Sequence, residues 1–138
     1  MRQLEWLETF ELRVPEIDGD HRVMLDLMKG VRTAAEAGER QRCEAIVDRL
    51  VAFSRDHFRR EESFIELHGF DGVPQHAKYH EGLLERVEVV RKACHEIETP
   101  EAFQHCCDEL MSFLIDDVVR GDLKLKSFLK EAGLIIPE

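Results

Sequence analysis

Little in this chain would interrupt a helix. Four Pro and eight Gly are spread over 138 residues, and no stretch alternates apolar with polar residues as a half-buried strand does. No apolar run approaches the roughly 20 residues that a bilayer-spanning helix needs. The first residues, MRQLEWLETFELRV, carry charge throughout and so lack the apolar segment of a signal peptide. The expected compartment is therefore the cytoplasm. Basic charge is also in short supply. Nineteen Lys and Arg stand against 29 Asp and Glu, a net charge of −10, which argues against nucleic acid or an anionic membrane surface as partner. Only four cysteines occur, Cys43, Cys94, Cys106 and Cys107, with no C-x-x-C spacing. Three of them, Cys94, Cys106 and Cys107, stand where small apolar residues would serve, so buried, reduced thiols are expected, a redox role for the adjacent Cys106-Cys107 pair being the alternative. Internal repeats, low-complexity tracts and linkers are missing as well.

What is present describes one folded domain spanning 1–138, with 43% hydrophobic and 35% charged residues and enough length to bury a core without staples. Four segments carry helical periodicity. The first covers about 19–38, with Val23, Leu27 and Val31 on one side and Asp18 or Asp20 as its cap. The second covers about 41–67, through Ile46, Leu50, Phe53, His57, Glu61, Phe64 and Ile65, and Gly69 closes it. The third covers about 73–97, starting at Val73-Pro74 and passing Leu83, Val87, Val90 and Cys94. The fourth covers about 100–131, with Thr99 as cap and Pro100 as first residue. Short connections make neighbours antiparallel, so the fold expected is an all-α, up-down-up-down four-helix bundle. Residues 1–16, with Leu4, Trp6, Leu7, Phe10 and Val14, read as an N-terminal arm laid against it.

Several polar residues sit on the apolar stripes. His57 and Glu61 are spaced i, i+4 on the second helix, and His76 and His80 have the same spacing on the third. Asp117 and Asp122 interrupt the fourth, and His21 lies near the start of the first. Residues four apart on a helix point the same way, so each pair can grip one object. Either pair alone more often marks a solvated face. Their combination is different, because antiparallel threading brings all seven groups to one end of the bundle. Seven polar groups buried together need a counter-charge. A pair of metal ions supplies it, and imidazole with carboxylate but no thiolate suits iron or manganese, with zinc as a further option. His68, His95 and His105 pair with no inward ligand at helical spacing and read as structural or surface residues.

With these landmarks in order ("EIDGDHRVML", "DHFRREESFI", "HAKYH" and "GDLKLKSFL"), the chain resembles the hemerythrin family, in particular its single-domain bacterial members, from Trp6 to about Leu129. The resemblance implies a non-heme, carboxylate-bridged pair of iron ions that binds O2 or another small diatomic ligand. By position, His76 and His80 would hold one iron, His21 and His57 the other, and Glu61 and Asp122 would bridge them. Met24, Phe58, Phe113, Leu114 and Val118 would line the O2 pocket. O2 carriage, delivery or sensing is the function implied, rather than an enzymatic one. The chain departs from the family at Asp117, where a histidine usually supplies a third ligand to the first iron. Either Asp117 ligates as a carboxylate, or it leaves that position to water and is held elsewhere. An extra carboxylate or an open position leads to the alternative readings, a di-iron redox enzyme acting on peroxide or NO, or a metal store with a degenerate site.

Overall fold

The computed structural model describes residues 15–133, except for the side chains of Phe113, residues 116–124, Lys126 and Ser127. All regular structure among the described residues is helical: α1 (Pro15–Glu36), α2 (Arg40–Leu67), α3 (Val73–Glu96) and α4 (Pro100–Glu131). The arm expected over 1–16 lies outside the described residues, apart from Pro15 and Glu16.

α1 begins at Pro15 rather than at about Gly19, so Asp18 and Asp20 are helical residues and not caps. Pro15 accounts for the earlier start. Its fixed φ suits the first helical position, and Glu16 and Asp18 then place negative charge in the first turn, against the helix dipole. Thr99 occupies the cap position of α4, yet its hydroxyl makes no capping hydrogen bond. α1 and α2 both close on a glycine in the left-handed region, Gly38 (φ 73°) and Gly69 (φ 84°). At the second of these, Gly69 N–H donates to Glu66 O and Phe70 N–H to Ile65 O, the paired bonds of a Schellman turn.

Cross-helix contacts show the antiparallel threading. His57, late in α2, meets Asp20, early in α1. His76, early in α3, meets Glu61, late in α2. At the other end, Arg32 of α1 pairs with Asp108 of α4 (Nε–Oδ1 3.1 Å). The four helices therefore form a ring in which α1 and α3 each pack on both α2 and α4. Two apolar clusters fill it. The larger includes Met24, Val31, Leu50, Phe58, Leu83, Val87, Leu110, Met111 and Leu114. The smaller joins Ile17, Ile65, Leu125 and Leu129. Each such side chain stabilises the fold by about 1.5–3 kcal/mol relative to exposure.

The cysteines correct the expectation of reduced thiols. Cys94 and Cys106 are joined as a disulfide, with Cα atoms 5.6 Å apart. The α3–α4 turn folds the end of one helix onto the start of the next, so residues 12 apart in sequence face each other. Cys43 and Cys107 are free and buried. At the same end, Arg40 of α2 donates to the carbonyls of Cys94, His95 and Ile97, around the C-terminus of α3, where a helix runs short of N–H partners for its last carbonyls.

Candidate metal centre

Between the two apolar clusters lies a polar layer. On α1, His21 follows Ile17 of the smaller cluster and precedes Met24 of the larger. On α2, Glu61 stands between Phe58 and Ile65 in the same way. Helical periodicity puts each polar residue on the inward stripe of its helix, because it continues the same i, i+3, i+4 series. The result is that His21, His57, Glu61, His76 and His80 are each 5% exposed or less.

Glu61 is at the middle of this layer. Its Oε2 lies 3.2 Å from His57 Nε2, while Oε1 lies 2.6 Å from His76 Nε2 and 3.3 Å from His80 Nε2. The Nε2 atoms of His21 and His57 approach to 3.2 Å. Two three-residue sets result, His21, His57 and Glu61, and Glu61, His76 and His80, each with its donor atoms within 4.8 Å of one another. They share one carboxylate.

The far sides of two rings are held by acids. His57 Nδ1 donates to Asp20 Oδ2 at 2.8 Å, and His80 Nδ1 to Glu62 Oε2 at 3.0 Å. Asp20 is itself held by Arg60 (Nε–Oδ2 3.0 Å). With the proton of each ring fixed on Nδ1, loss of the proton shared between Nε2 and Glu61 would leave the Nε2 lone pair directed at the centre of the layer, the tautomer a metal ligand needs. Phe58 stacks on His80 with centroids 3.9 Å apart and planes 10° from parallel, which further restricts that ring.

Electrostatics follow from this packing. Burial pushes the Glu61 carboxyl up, but hydrogen bonds from His57, His76 and His80 outweigh it and hold the group well below the usual carboxylate range. Burial lowers His57, yet its bonds to Glu61 and Asp20 raise it overall. His21 is pushed down to about 4 by burial and by the neighbouring His57, so its ring stays neutral at ordinary pH. One anionic carboxylate among four buried imidazoles is a donor set without thiolate, and it fits a cation of the iron type.

A family model described as "Hemerythrin HHE cation binding domain" matches residues 13–126. The chain belongs to the hemerythrin family. Two similar proteins bear this out in their names. A bacteriohemerythrin of Stenotrophomonas maltophilia is 25% identical over 125 residues, covering 88% of this chain and 78% of that one. A myohemerythrin of Theromyzon tessulatum is 26% identical over 92 residues, covering 67% of this chain and 72% of its own. The protein is thus a hemerythrin-family, non-heme iron-binding domain carrying two His/Glu clusters.

Of the residues singled out from sequence, the structure brings together His21, His57, Glu61, His76 and His80. Met24, Phe58 and Leu114 are buried in the adjoining apolar cluster. Asp117, Asp122, Phe113 and Val118 are carried on α4, but their side chains lie outside the described residues. His68, His95 and His105 are exposed. His95 pairs with Glu44 (2.8 Å) and His105 lies 3.8 Å from Glu109. Two residues with a part in this hemerythrin centre were missed, Asp20 and Glu62. Each is the immediate chain neighbour of a predicted ligand, roughly 100° round the helix from it, so the stripe pattern assigns it to solvent. The signal in the sequence is the acid directly beside a ligand, in Asp20-His21 and Glu61-Glu62.

Proposed function

We propose that this hemerythrin domain holds two iron ions and binds O2 between its helices, for carriage, delivery or sensing. The observation that carries the reading is the placement of Glu61, whose two oxygens face different histidine sets. A carboxylate so placed suits a bridge between two cations rather than a ligand to one. In this assignment His76 and His80 would hold one iron and His21 and His57 the other, with Glu61 shared between them and Asp122 as the further carboxylate. Bound there, the iron pair supplies reversible O2 binding.

The chain's own residues prepare the site. Asp20 and Glu62 keep His57 and His80 in the ligating tautomer. Met24, Phe58 and Leu114, each under 5% exposed, would exclude water from the bound O2. Asp117 takes the place of the family's usual histidine. An anionic group beside His76 and His80 would favour the ferric state, and this residue is the ground for a second reading, redox turnover of peroxide or NO.

The visible spectrum of anaerobically reduced protein, recorded before and after air, tests the proposal. A band that appears in air and bleaches under vacuum supports O2 binding. Irreversible oxidation accompanied by turnover of peroxide or NO supports the second reading. A colourless protein with at most one iron per chain would overturn both.

A further inference from the structure

At the end of the bundle opposite the histidine layer, all four cysteines gather. Cys43 lies in the first turn of α2, Cys94 in the last turn of α3, and Cys106 and Cys107 early in α4. Cys43 and Cys107 have sulfurs 3.7 Å apart and are 0% and 2% exposed. The Cys94–Cys106 disulfide ties the adjoining ends of α3 and α4, Cys106 being the chain neighbour of Cys107. Arg40, one turn before Cys43, donates to the carbonyl of Cys94 at 3.3 Å, so the α2 turn bearing Cys43 is fastened against the α3 turn bearing Cys94. Cys43, Cys94 and Cys107 also line one cavity of about 420 Å³.

We propose that these four residues form a thiol–disulfide exchange centre, in which the Cys43–Cys107 dithiol takes over the oxidation carried by the Cys94–Cys106 disulfide. The Cys43 thiolate attacks Sγ of Cys94, forming a Cys43–Cys94 bond and expelling Cys106 as thiolate, which takes a proton from solvent. Cys107 then attacks Sγ of Cys43, forming Cys43–Cys107 and expelling Cys94, which accepts the Cys107 proton. One disulfide is lost and one is gained. No external oxidant or reductant is needed, because the electrons only change sulfurs.

Three observations support this order. The dithiol is already assembled, so closing it needs its sulfurs, 3.7 Å apart, to approach by about 1.7 Å to the roughly 2.05 Å length of a disulfide. The hydrogen bond between Cys43 and Cys107 lowers Cys43 below the usual thiol range, and the same bond together with burial raises Cys107; the more acidic thiol is the one on the α2 turn that Arg40 fastens to the α3 turn bearing Cys94. Attack requires the thiolate. The exchange also changes what is tied together. Cys94–Cys106 links neighbouring helices, α3 and α4, whereas Cys43–Cys107 would link α2 and α4 across the diagonal of the ring.

Tryptic mapping reads the outcome directly. Cleavage after Arg42 and Arg49 isolates Cys43, while no Lys or Arg separates Cys94, Cys106 and Cys107. The resting disulfide therefore lies within one peptide, and its transfer joins two. The full-length protein would be incubated without oxygen at mildly alkaline pH, acid-trapped, alkylated in denaturant and digested. Wild type is expected to gain the joined peptides several-fold over a sample trapped at the start, with the bond mapped to Cys43–Cys107. Cys106→Ser, which has no disulfide to donate, should lose them. Failure of wild type to form the joined peptides would overturn the proposal. So would their equal appearance in Cys106→Ser, which would assign them to outside oxidation.

Discussion

Glu62→Ala separates orientation of a ligand from ligation itself. Glu62 belongs to neither of the two clusters, yet its Oε2 accepts the Nδ1–H of His80 at 3.0 Å. Removing the carboxylate frees the ring to turn about its side-chain bonds and to shift its proton to Nε2, where it would block the lone pair. Partners of this kind contribute about 10- to 100-fold in metal affinity, or about 1.4–2.8 kcal/mol. The Glu62 side chain is 26% exposed, so water replaces part of the lost bond, and Phe58 still stacks on the ring. The expected loss is therefore at the lower end, about tenfold. Glu62→Gln keeps an acceptor and should lose less. Glu61→Ala removes the carboxylate common to both histidine sets and should leave the chain with little iron at any chelator level. The assay is iron per chain after equilibration against a graded series of chelator, with folding followed by far-UV circular dichroism. Two results would sink the reasoning. Glu62→Ala within about twofold of wild type would mean that the bond to His80 does not hold the ring. Glu62→Ala as damaging as Glu61→Ala would contradict the shared role of Glu61.

Iron removal should lower the melting temperature of the protein, because donors from separate helices come together only in the folded chain; equal melting of chelated and iron-loaded protein would count against a buried metal centre. Asp108→Ala deletes the 3.1 Å ion pair with Arg32, whose side chain is 16% exposed, so it should destabilise the fold by about 2 kcal/mol, less than the ~3–5 kcal/mol of a fully buried pair. Urea unfolding with an unchanged midpoint would show that the pair contributes nothing. His95→Ala and His105→Ala should keep wild-type iron content, since both residues are exposed and pair with surface acids; iron loss in either would mean that the centre extends to the other end of the bundle. Asp117→His, by replacing an anionic group with a neutral one, should raise the reduction potential and slow autoxidation in air, and a variant unchanged in both would place Asp117 away from the iron.

The inward pairs were legible in the sequence because a helix repeats locally. His57 with Glu61 and His76 with His80 need only the 3.6-residue period to share a face. Their meeting followed from antiparallel threading, which short connections impose. The Cys94–Cys106 bond was not legible, since it depends on the axial register of α3 against α4, and spacing along one chain does not encode that. Asp20 and Glu62 escaped for a different reason. Hydrophobic periodicity sorts residues into inward and outward, whereas these two point sideways and reach the back of a ring on a neighbouring helix. The early start of α1 was hidden by Gly19, which resembles a breaker but is simply a tolerated residue in the first turns.

The guanidinium of Arg40, lodged over the end of α3 and 4.3 Å from the Phe103 ring, gives the bundle two clasps of unlike chemistry. One end is shut by sulfur and by Arg40, the other by whatever cation the imidazoles grip, and ordinary packing runs between them. Thiol reductants and iron chelators would then undo opposite ends of the same molecule, each leaving the other hinge in place. Partial opening of such a chain has a direction, chosen by the reagent that starts it.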